Sequence, residues 1–221
     1  MTSVRILSTR KLQPNQKQYL LNAELSVLEA DFISVNLKTF EIDEVHDNLL
    51  FTSQNAVISF LHNVKSATLK DKSIFCVGIK TKAALEHFGY NVKAWADYAQ
   101  DLAKTITEDY KDGGFTFFSG NLRRDTLPDA LKNAGITMNE IQTYETVLTP
   151  HSIKPEINGI LFYSPSGVES YLKENKITDE VCFCIGTTTA NALQDITQNI
   201  VIANQPSVEN VIIQCINYYK L

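Results

Sequence analysis

Several classes of protein are excluded by what this chain lacks. No run of about 18 consecutive apolar residues occurs in its 221 residues, so no membrane-spanning helix is predicted. Basic residues form no block, and 20 Lys and Arg against 25 Asp and Glu give a net charge of −5, which argues against a nucleic-acid binder. The apolar stretch at the N-terminus is too short for a signal peptide, and we expect a cytoplasmic protein.

The chain is also poor in the residues of metal and nucleophile chemistry. It has four cysteines without a CxxC spacing and four scattered histidines, so it shows no disulfide framework, zinc motif or Ser-His-Asp arrangement. We expect the cysteines to be buried as small apolar side chains. No GxGxxG motif and no phosphate-binding loop are present, which disfavours a nucleotide-dependent enzyme.

What the chain does contain is an alternation of short apolar runs and helical patterns. Continuous apolar strands between amphipathic helices are typical of a parallel sheet covered on both faces, so the predicted class is α/β with parallel sheets. The segment 17–30 is one of the predicted helical patterns. The predicted strands are 4–7, 48–51, 73–77, 115–118, 159–163, 181–185 and 201–203.

An internal near-repeat predicts two similar lobes. Residues 48–61 align without gaps to 159–172, and 73–85 align to 181–193. Two further segments, 33–42 and 141–150, have the period-two pattern of strands. We therefore expect two lobes joined by a two-stranded β linker, with a ligand cleft between the lobes. The predicted parts are an outer lobe of 1–34 and 151–221, an inserted lobe of 43–140, and linker strands at 35–42 and 141–150.

Small polar residues follow the predicted strands, where ligands bind in parallel α/β sheets. Free backbone N–H groups and the helix dipole at such turns attract carboxylates or phosphates. Ser and Thr also cap helices there without any ligand, so one turn alone does not indicate a site. Several such turns favour a small ligand with many negative charges. The turns are 8–10, 52–53, 119–121, 164–167 and 186–189.

At these turns the sequence resembles the uroporphyrinogen III synthase family. The matching pieces occur in the family's order and extend across nearly the whole chain. They are LSTR (7–10), FTSQNAV (51–57), FFSGNLRRDTLPDAL (117–131), YETV (144–147), FYSPSGVESYL (162–172) and IGTTTANAL (185–193).

The resemblance implies two flavodoxin-like lobes and a lyase that needs no cofactor and no metal. The implied substrate is hydroxymethylbilane, a linear tetrapyrrole with eight carboxylates. It would be cyclised to uroporphyrinogen III, in heme biosynthesis, with loss of water and inversion of ring D. We expect a monomer without nucleic-acid or membrane partners, and hydroxymethylbilane synthase as a transient partner that supplies the substrate.

The resemblance also suggests roles for individual residues. Tyr144 matches the family's hinge tyrosine and would assist departure of the substrate hydroxyl, although packing in the hinge is an alternative. Arg123 and Arg124 contact either the ligand or acidic residues on their own helix. The predicted substrate-binding residues are Arg10, Ser53, Ser119, Gly120, Asn121, Ser164, Ser166, Gly186, Thr187, Thr188 and Thr189. The alternative function is a non-catalytic two-lobed protein that binds a tetrapyrrole or another polyanion.

Overall fold

The structure is a computed structural model that describes residues 4–220. Its strands are β1 (Arg5–Ser8), β2 (Ser26–Glu29), β3 (Ile33–Leu37), β4 (Asn48–Phe51), β5 (Ser73–Val77), β6 (Asn91–Ala96), β7 (Phe115–Gly120), β8 (Met138–Leu148), β9 (Gly159–Phe162), β10 (Val181–Cys184) and β11 (Ile200–Ile202). Its α-helices are α1 (Pro14–Asn22), α2 (Gln54–His62), α3 (Ile79–His87), α4 (Ala99–Asp109), α5 (Thr126–Asn133), α6 (Pro165–Glu174), α7 (Thr187–Asn191) and α8 (Val208–Lys220).

The chain forms two compact units. Unit 1 comprises the described residues up to Ser34 and from Val147 onward, and unit 2 comprises Val35–Thr146. The boundaries fall inside β3 and β8, so the chain passes from one unit to the other within strands.

Unit 1 is built on a five-stranded sheet in the order β11-β10-β9-β1-β2, with every neighbouring pair parallel. Consecutive strand residues face opposite sides, so Ile6 packs with α1 and α8 while Leu7 packs with α6 and α7. Cys182 and Cys184 share one face, as their spacing predicts, and the cysteines are buried and free.

Unit 2 is built on a six-stranded sheet in the order β3-β8-β7-β4-β5-β6. Its pairs from β8 to β6 are parallel. Phe51, Phe60 and Phe118 lie together on one face, with ring centroids 4.8–5.1 Å apart. Leu50, Phe75 and neighbours fill the other face beneath α4 and α5.

The two units repeat one strand order. In unit 2, if the edge strand β3 is set aside and the strands are counted from β4, the order β6-β5-β4-β7-β8 is 3-2-1-4-5. Unit 1 has the equivalent arrangement, with β9, β10 and β11 on one side and β1 and β2 on the other. The predicted α/β class with parallel sheets in two lobes is confirmed, but the strand order of the lobes is not that of flavodoxin, which is 2-1-3-4-5. The order differs because strand neighbours are chosen by long-range pairing, which a local pattern does not contain.

Part of one predicted helix is wrong. The pattern over 17–30 predicts a helix, whereas α1 ends at Asn22 and β2 begins at Ser26. The break occurs at Glu24, whose φ of 58° is left-handed and ends the helix without a glycine to mark it.

The two extended segments form β3 and β8, which are neighbours in the sheet of unit 2. β3 ends at Leu37 and residues 38–47 contain no helix or strand, so the first extended segment is shorter than predicted. The strand β6 and helix α4 were not predicted. No helix within residues 4–220 has the length and apolar character needed to cross a membrane.

Candidate active site

The predicted binding turns of unit 1 follow three neighbouring strands, β10, β9 and β1. Because these strands are parallel, their turns lie side by side along one edge of the sheet. The strand order reverses between β9 and β1, and ligands bind at such switch points in open parallel sheets. Arg10 follows β1 and Ser164 follows β9, so both lie at the switch point of this unit.

Arg10 is an exposed cation above a half-buried tyrosine. Its guanidinium carbon lies 5.8 Å from the ring centre of Tyr163, and it makes no ion pair with any of residues 4–220. The Ser8 hydroxyl donates its single proton to the Arg10 carbonyl at 2.6 Å, so the Tyr163 hydroxyl, 3.1 Å away, must donate to Ser8 Oγ. Burial raises the pKa of Tyr163 and keeps it neutral. The backbone of Arg10 is therefore fixed while its charge stays available.

Ser164 begins α6 as its N-cap. Its Oγ accepts a hydrogen bond from the Gly167 N–H at 3.0 Å and lies 3.0 Å from the Ser166 hydroxyl. Pro165 occupies the first helical turn, where its missing N–H costs nothing. Capping therefore accounts for Ser164, whereas the neighbouring Ser166 is a partly exposed residue.

The turn after β10 presents its threonines to different surroundings. Thr187 is exposed, Thr188 is half-buried and Thr189 is buried. Gly186 caps the short helix α7 through its carbonyl, which accepts from the Thr189 N–H at 3.1 Å. Of the three threonines of this turn, Thr187 and Thr188 are therefore the accessible ones.

In unit 2 the switch point lies between β4 and β7. Ser53 follows β4 and caps α2 by accepting from the Asn55 N–H at 3.1 Å. The adjacent turn after β5 carries Gly78, whose φ of +90° suits glycine, and the exposed Lys80, which makes no ion pair within residues 4–220. Lys80 was not predicted, although the near-repeat pairs Gly78 with Gly186 and so marks this turn.

Tyr144 lies flat against Gly120 of the neighbouring strand. A methyl group at Gly120 would come within 2.3 Å of the Tyr144 Cζ atom, so only glycine leaves room for the ring. The ring is half-buried and packs against the core of unit 2. Its hydroxyl makes no hydrogen bond to any residue of the described chain. Packing therefore holds the ring, while the hydroxyl remains available to a ligand.

The structure gives Ser119 an internal partner. Its buried hydroxyl donates to Glu140 Oε1 at 2.5 Å, and Arg123 holds the same carboxylate with two hydrogen bonds of 2.8 and 2.9 Å. Burial by itself would raise the pKa of Glu140, but the bonds from Arg123 and Ser119 outweigh it and lower the pKa below the ordinary value. Arg123 also forms an ion pair with Asp125. Of the two predicted possibilities for Arg123, ligand contact or contact with acidic residues, the structure shows contact with acidic residues.

Asn121 is likewise engaged within unit 2. Its side-chain nitrogen donates to the Thr146 carbonyl at 3.1 Å, and its side-chain oxygen accepts from the Thr146 N–H at 2.8 Å. The amide thus fastens the turn after β7 to the far part of β8. The side chains of Ser119 and Asn121 thus each have partners within unit 2, and substrate binding by Ser119, Gly120 and Asn121 stays a prediction.

No group of three or more His, Cys, Asp or Glu side chains within residues 4–220 is arranged to hold a metal ion. The four cysteines are buried, and burial raises the pKa of each thiol to about 12. They are therefore packing residues rather than nucleophiles.

Comparison with known families adds the decisive observation. Residues 24–213 match the family model described as uroporphyrinogen-III synthase HemD. The chain belongs to the uroporphyrinogen-III synthase family. The match contains every predicted site residue except Arg10.

Relatives and solved structures agree with this membership. This chain is 27% identical to the uroporphyrinogen-III synthase of Chlorobaculum parvum over 170 residues, which are 66% of this chain and 68% of that protein. It is 31% identical to the Saccharomyces cerevisiae uroporphyrinogen-III synthase over 101 residues, which are 41% of this chain and 37% of that protein.

Two solved structures share the fold. Uroporphyrinogen-III synthetase from Helicobacter pylori superposes with a TM-score of 0.74 at 19% identity, covering 97% of this chain and 99% of the other. A mutant uroporphyrinogen III synthase from the thermophilic bacterium Thermus thermophilus gives a TM-score of 0.70 at 15% identity, with 98% of both chains covered. These likenesses confirm the two-lobed α/β fold.

Proposed function

We propose that this protein cyclises hydroxymethylbilane to uroporphyrinogen III, with loss of water and inversion of ring D. The observation that carries the proposal is the family match over residues 24–213. In this proposal the enzyme is a lyase that uses no cofactor, and because the reaction changes no oxidation state overall it requires no redox cofactor. What the protein must supply is orientation of a flexible chain and help for the departing hydroxyl.

The turns at and next to the two switch points bind the substrate carboxylates in this proposal. Carboxylates with an ordinary pKa near 4 are ionised at neutral pH, so a net-negative protein needs local donors to hold them. Arg10 contributes a charge in unit 1, and Lys80 contributes one in unit 2. Hydrogen-bond donors come from Ser166, Thr187, Thr188 and the backbone N–H groups of these turns, with Ser53, Ser164, Gly186 and Thr189 shaping the turns.

Tyr144 acts on the leaving group. Its phenol donates a hydrogen bond to the terminal hydroxyl of the substrate as the pyrrole nitrogen expels it, giving an azafulvene. The substituted carbon of the last ring then attacks and forms a spiro intermediate, which fragments and recloses with the ring inverted. The free hydroxyl and fixed ring of Tyr144 support this assignment.

A product-isomer assay tests the function directly. Full-length protein is given freshly prepared hydroxymethylbilane, and the cyclised products are separated into isomers I and III. We expect isomer III from the wild type, and Tyr144→Phe should lower kcat at least about tenfold, or about 1.4 kcal/mol, without loss of fold. Isomer I alone from the wild type would contradict the synthase and leave the non-catalytic binder, which tetrapyrrole binding then tests. Unchanged turnover of Tyr144→Phe would remove only the role of this residue.

Three further expectations stay predictions. They are the cytoplasmic location, the monomeric state and the transient encounter with hydroxymethylbilane synthase.

A further inference from the structure

The strand that carries Tyr144 contains a bulge at the residue before it. Along the β7–β8 pair, Ser119 lies opposite Gln142, but the next residue, Gly120, lies opposite Tyr144. Thr143 is therefore an extra residue in β8. Bulges of this kind re-aim the side chain that follows them. In an unbroken register Gly120 would face Thr143, so the bulge brings the Tyr144 ring onto the glycine.

Thr143 is held at the bulge from several sides. It is fully buried, and its hydroxyl donates to the Ser119 carbonyl at 3.1 Å. Its own carbonyl accepts from the Ser59 hydroxyl of α2 at 2.5 Å and from the Lys38 N–H at 2.9 Å. A helix, the neighbouring strand β7 and the segment after β3 thus fix the conformation of one residue.

The fixed bulge determines where the tyrosine ring lies. The ring packs against the Cα of Gly120 on one side and the core of unit 2 on the other, while the backbone beyond it is tied to Asn121 through Thr146. With the ring and both flanking backbone segments constrained, the Tyr144 hydroxyl occupies one position without a hydrogen-bond partner among the described residues. An unpartnered hydroxyl held this firmly suits a group that must meet a leaving group at a defined point.

We propose that Thr143 is a positioning residue, whose hydrogen bonds to Ser119 and Ser59 hold the β8 bulge and thereby aim the Tyr144 phenol at the reacting substrate. This inference rests on the proposed function of Tyr144. One part of the inference, that Thr143 sets the position of the Tyr144 ring, can be measured without an activity assay.

The kinetic experiment compares isosteric and conservative variants of the full-length protein. Thr143→Val removes the hydroxyl and keeps the shape, whereas Thr143→Ser keeps the hydroxyl. We expect Thr143→Val to lower kcat about tenfold with KM within about twofold, and Thr143→Ser to restore kcat to within about threefold of the wild type. Ser59→Ala, which acts on the bulge from another element, should lower kcat about threefold.

The matched control is Ser170→Ala. Ser170 occupies in unit 1 the near-repeat position of Ser59, is equally buried and lies outside the proposed site. Its hydroxyl has no hydrogen-bond partner within residues 4–220, so the same substitution there should leave kcat unchanged. A fall in kcat with Ser170→Ala equal to that with Ser59→Ala would overturn the inference.

The double variant Thr143→Val/Tyr144→Phe separates the two proposals. If Thr143 acts through the phenol, the double variant is no slower than Tyr144→Phe alone. A further loss in the double variant, or full activity of Thr143→Val beside a slow Tyr144→Phe, overturns the positioning role and leaves the function of Tyr144 standing.

A spectroscopic readout remains if Tyr144→Phe proves fully active. Tyrosine labelled with ¹³C at Cζ gives a Tyr144 resonance, assigned by its loss in Tyr144→Phe. Thr143→Val should shift or broaden this resonance while Thr143→Ser preserves it. An unmoved resonance in Thr143→Val contradicts the positioning of the ring whatever the turnover shows.

Discussion

At the scale of single residues, equivalent positions of the two units differ in whether their polar groups are satisfied. Ser59 and Ser170 are aligned in the near-repeat, and both are buried on a helix that follows a central strand. Ser59 donates to the Thr143 carbonyl, whereas the Ser170 hydroxyl has no partner in the described part of the chain. A buried hydroxyl without a hydrogen bond costs free energy, while a satisfied one contributes to stability. The same residue type therefore has opposite effects in the two units.

This contrast predicts opposite stability changes for one substitution. Ser170→Ala should raise the free energy of unfolding by about 1 kcal/mol, because it removes an unsatisfied hydroxyl and alanine favours a helix. Ser59→Ala should lower it by about 1 kcal/mol, because the Thr143 carbonyl loses a donor. Urea unfolding of the two variants beside the wild type measures both values. A decrease with Ser170→Ala would show that its hydroxyl has a partner in solution.

At the scale of elements, one ionic cluster connects the two strands next to the proposed site. The carboxylate of Glu140 on β8 accepts hydrogen bonds from Ser119 on β7 and from Arg123 in the turn before α5. The cluster lowers the pKa of Glu140 in the folded state. A carboxyl group with a lowered folded pKa contributes stability at neutral pH, and that contribution is lost as the pH falls through the folded value.

The pH dependence of unfolding therefore has an identifiable component. Glu140→Gln should lower the free energy of unfolding by about 1 kcal/mol at neutral pH. The difference from the wild type should vanish as the pH falls below the ordinary carboxyl range, where Glu140 becomes protonated. Glu145→Gln is the control, since Glu145 is exposed on the same strand and should change stability little at any pH. A difference that persists at the lowest pH would contradict the ionic origin.

At the scale of the whole molecule, the chain path makes the two units unequal. Unit 2 is one continuous segment, whereas unit 1 combines both ends of the chain. In unit 1 the strands β1 and β2 pair in one sheet with β9, β10 and β11, which lie more than 120 residues further along the chain. The strands of the unit 2 sheet, β3 to β8, and the core of this unit therefore lie within one continuous stretch of chain, which is the condition for folding alone.

Thiol labelling of excised segments tests this asymmetry. The segment 33–148 contains β3 to β8 complete and one cysteine, Cys76, which burial protects. We expect it to unfold cooperatively in urea and to keep Cys76 unreactive until the transition. The segment 149–221 lacks β1 and β2, and its three cysteines should react at the rate of unfolded chain. Rapid labelling of Cys76 without urea would show that unit 2 depends on the rest of the molecule.

The sequence by itself determined the α/β class, the turns that end the strands and the family. These depend on local patterns, because apolar runs, helix caps and ordered motifs are written in neighbouring residues. The near-repeat likewise showed that two similar lobes exist.

Only the tertiary structure determined the strand order and the hydrogen-bond partners of Ser119 and Asn121. It also showed that β2 is a strand, although its residues fit a helical pattern. It also decided the bulge that turns Tyr144 onto Gly120. Each of these depends on residues distant in sequence, such as Ser59 bonding to Thr143, 84 positions away. A pattern along the chain reports which face a residue prefers, whereas register and hydrogen-bond partners are chosen only when the strands and helices pack together.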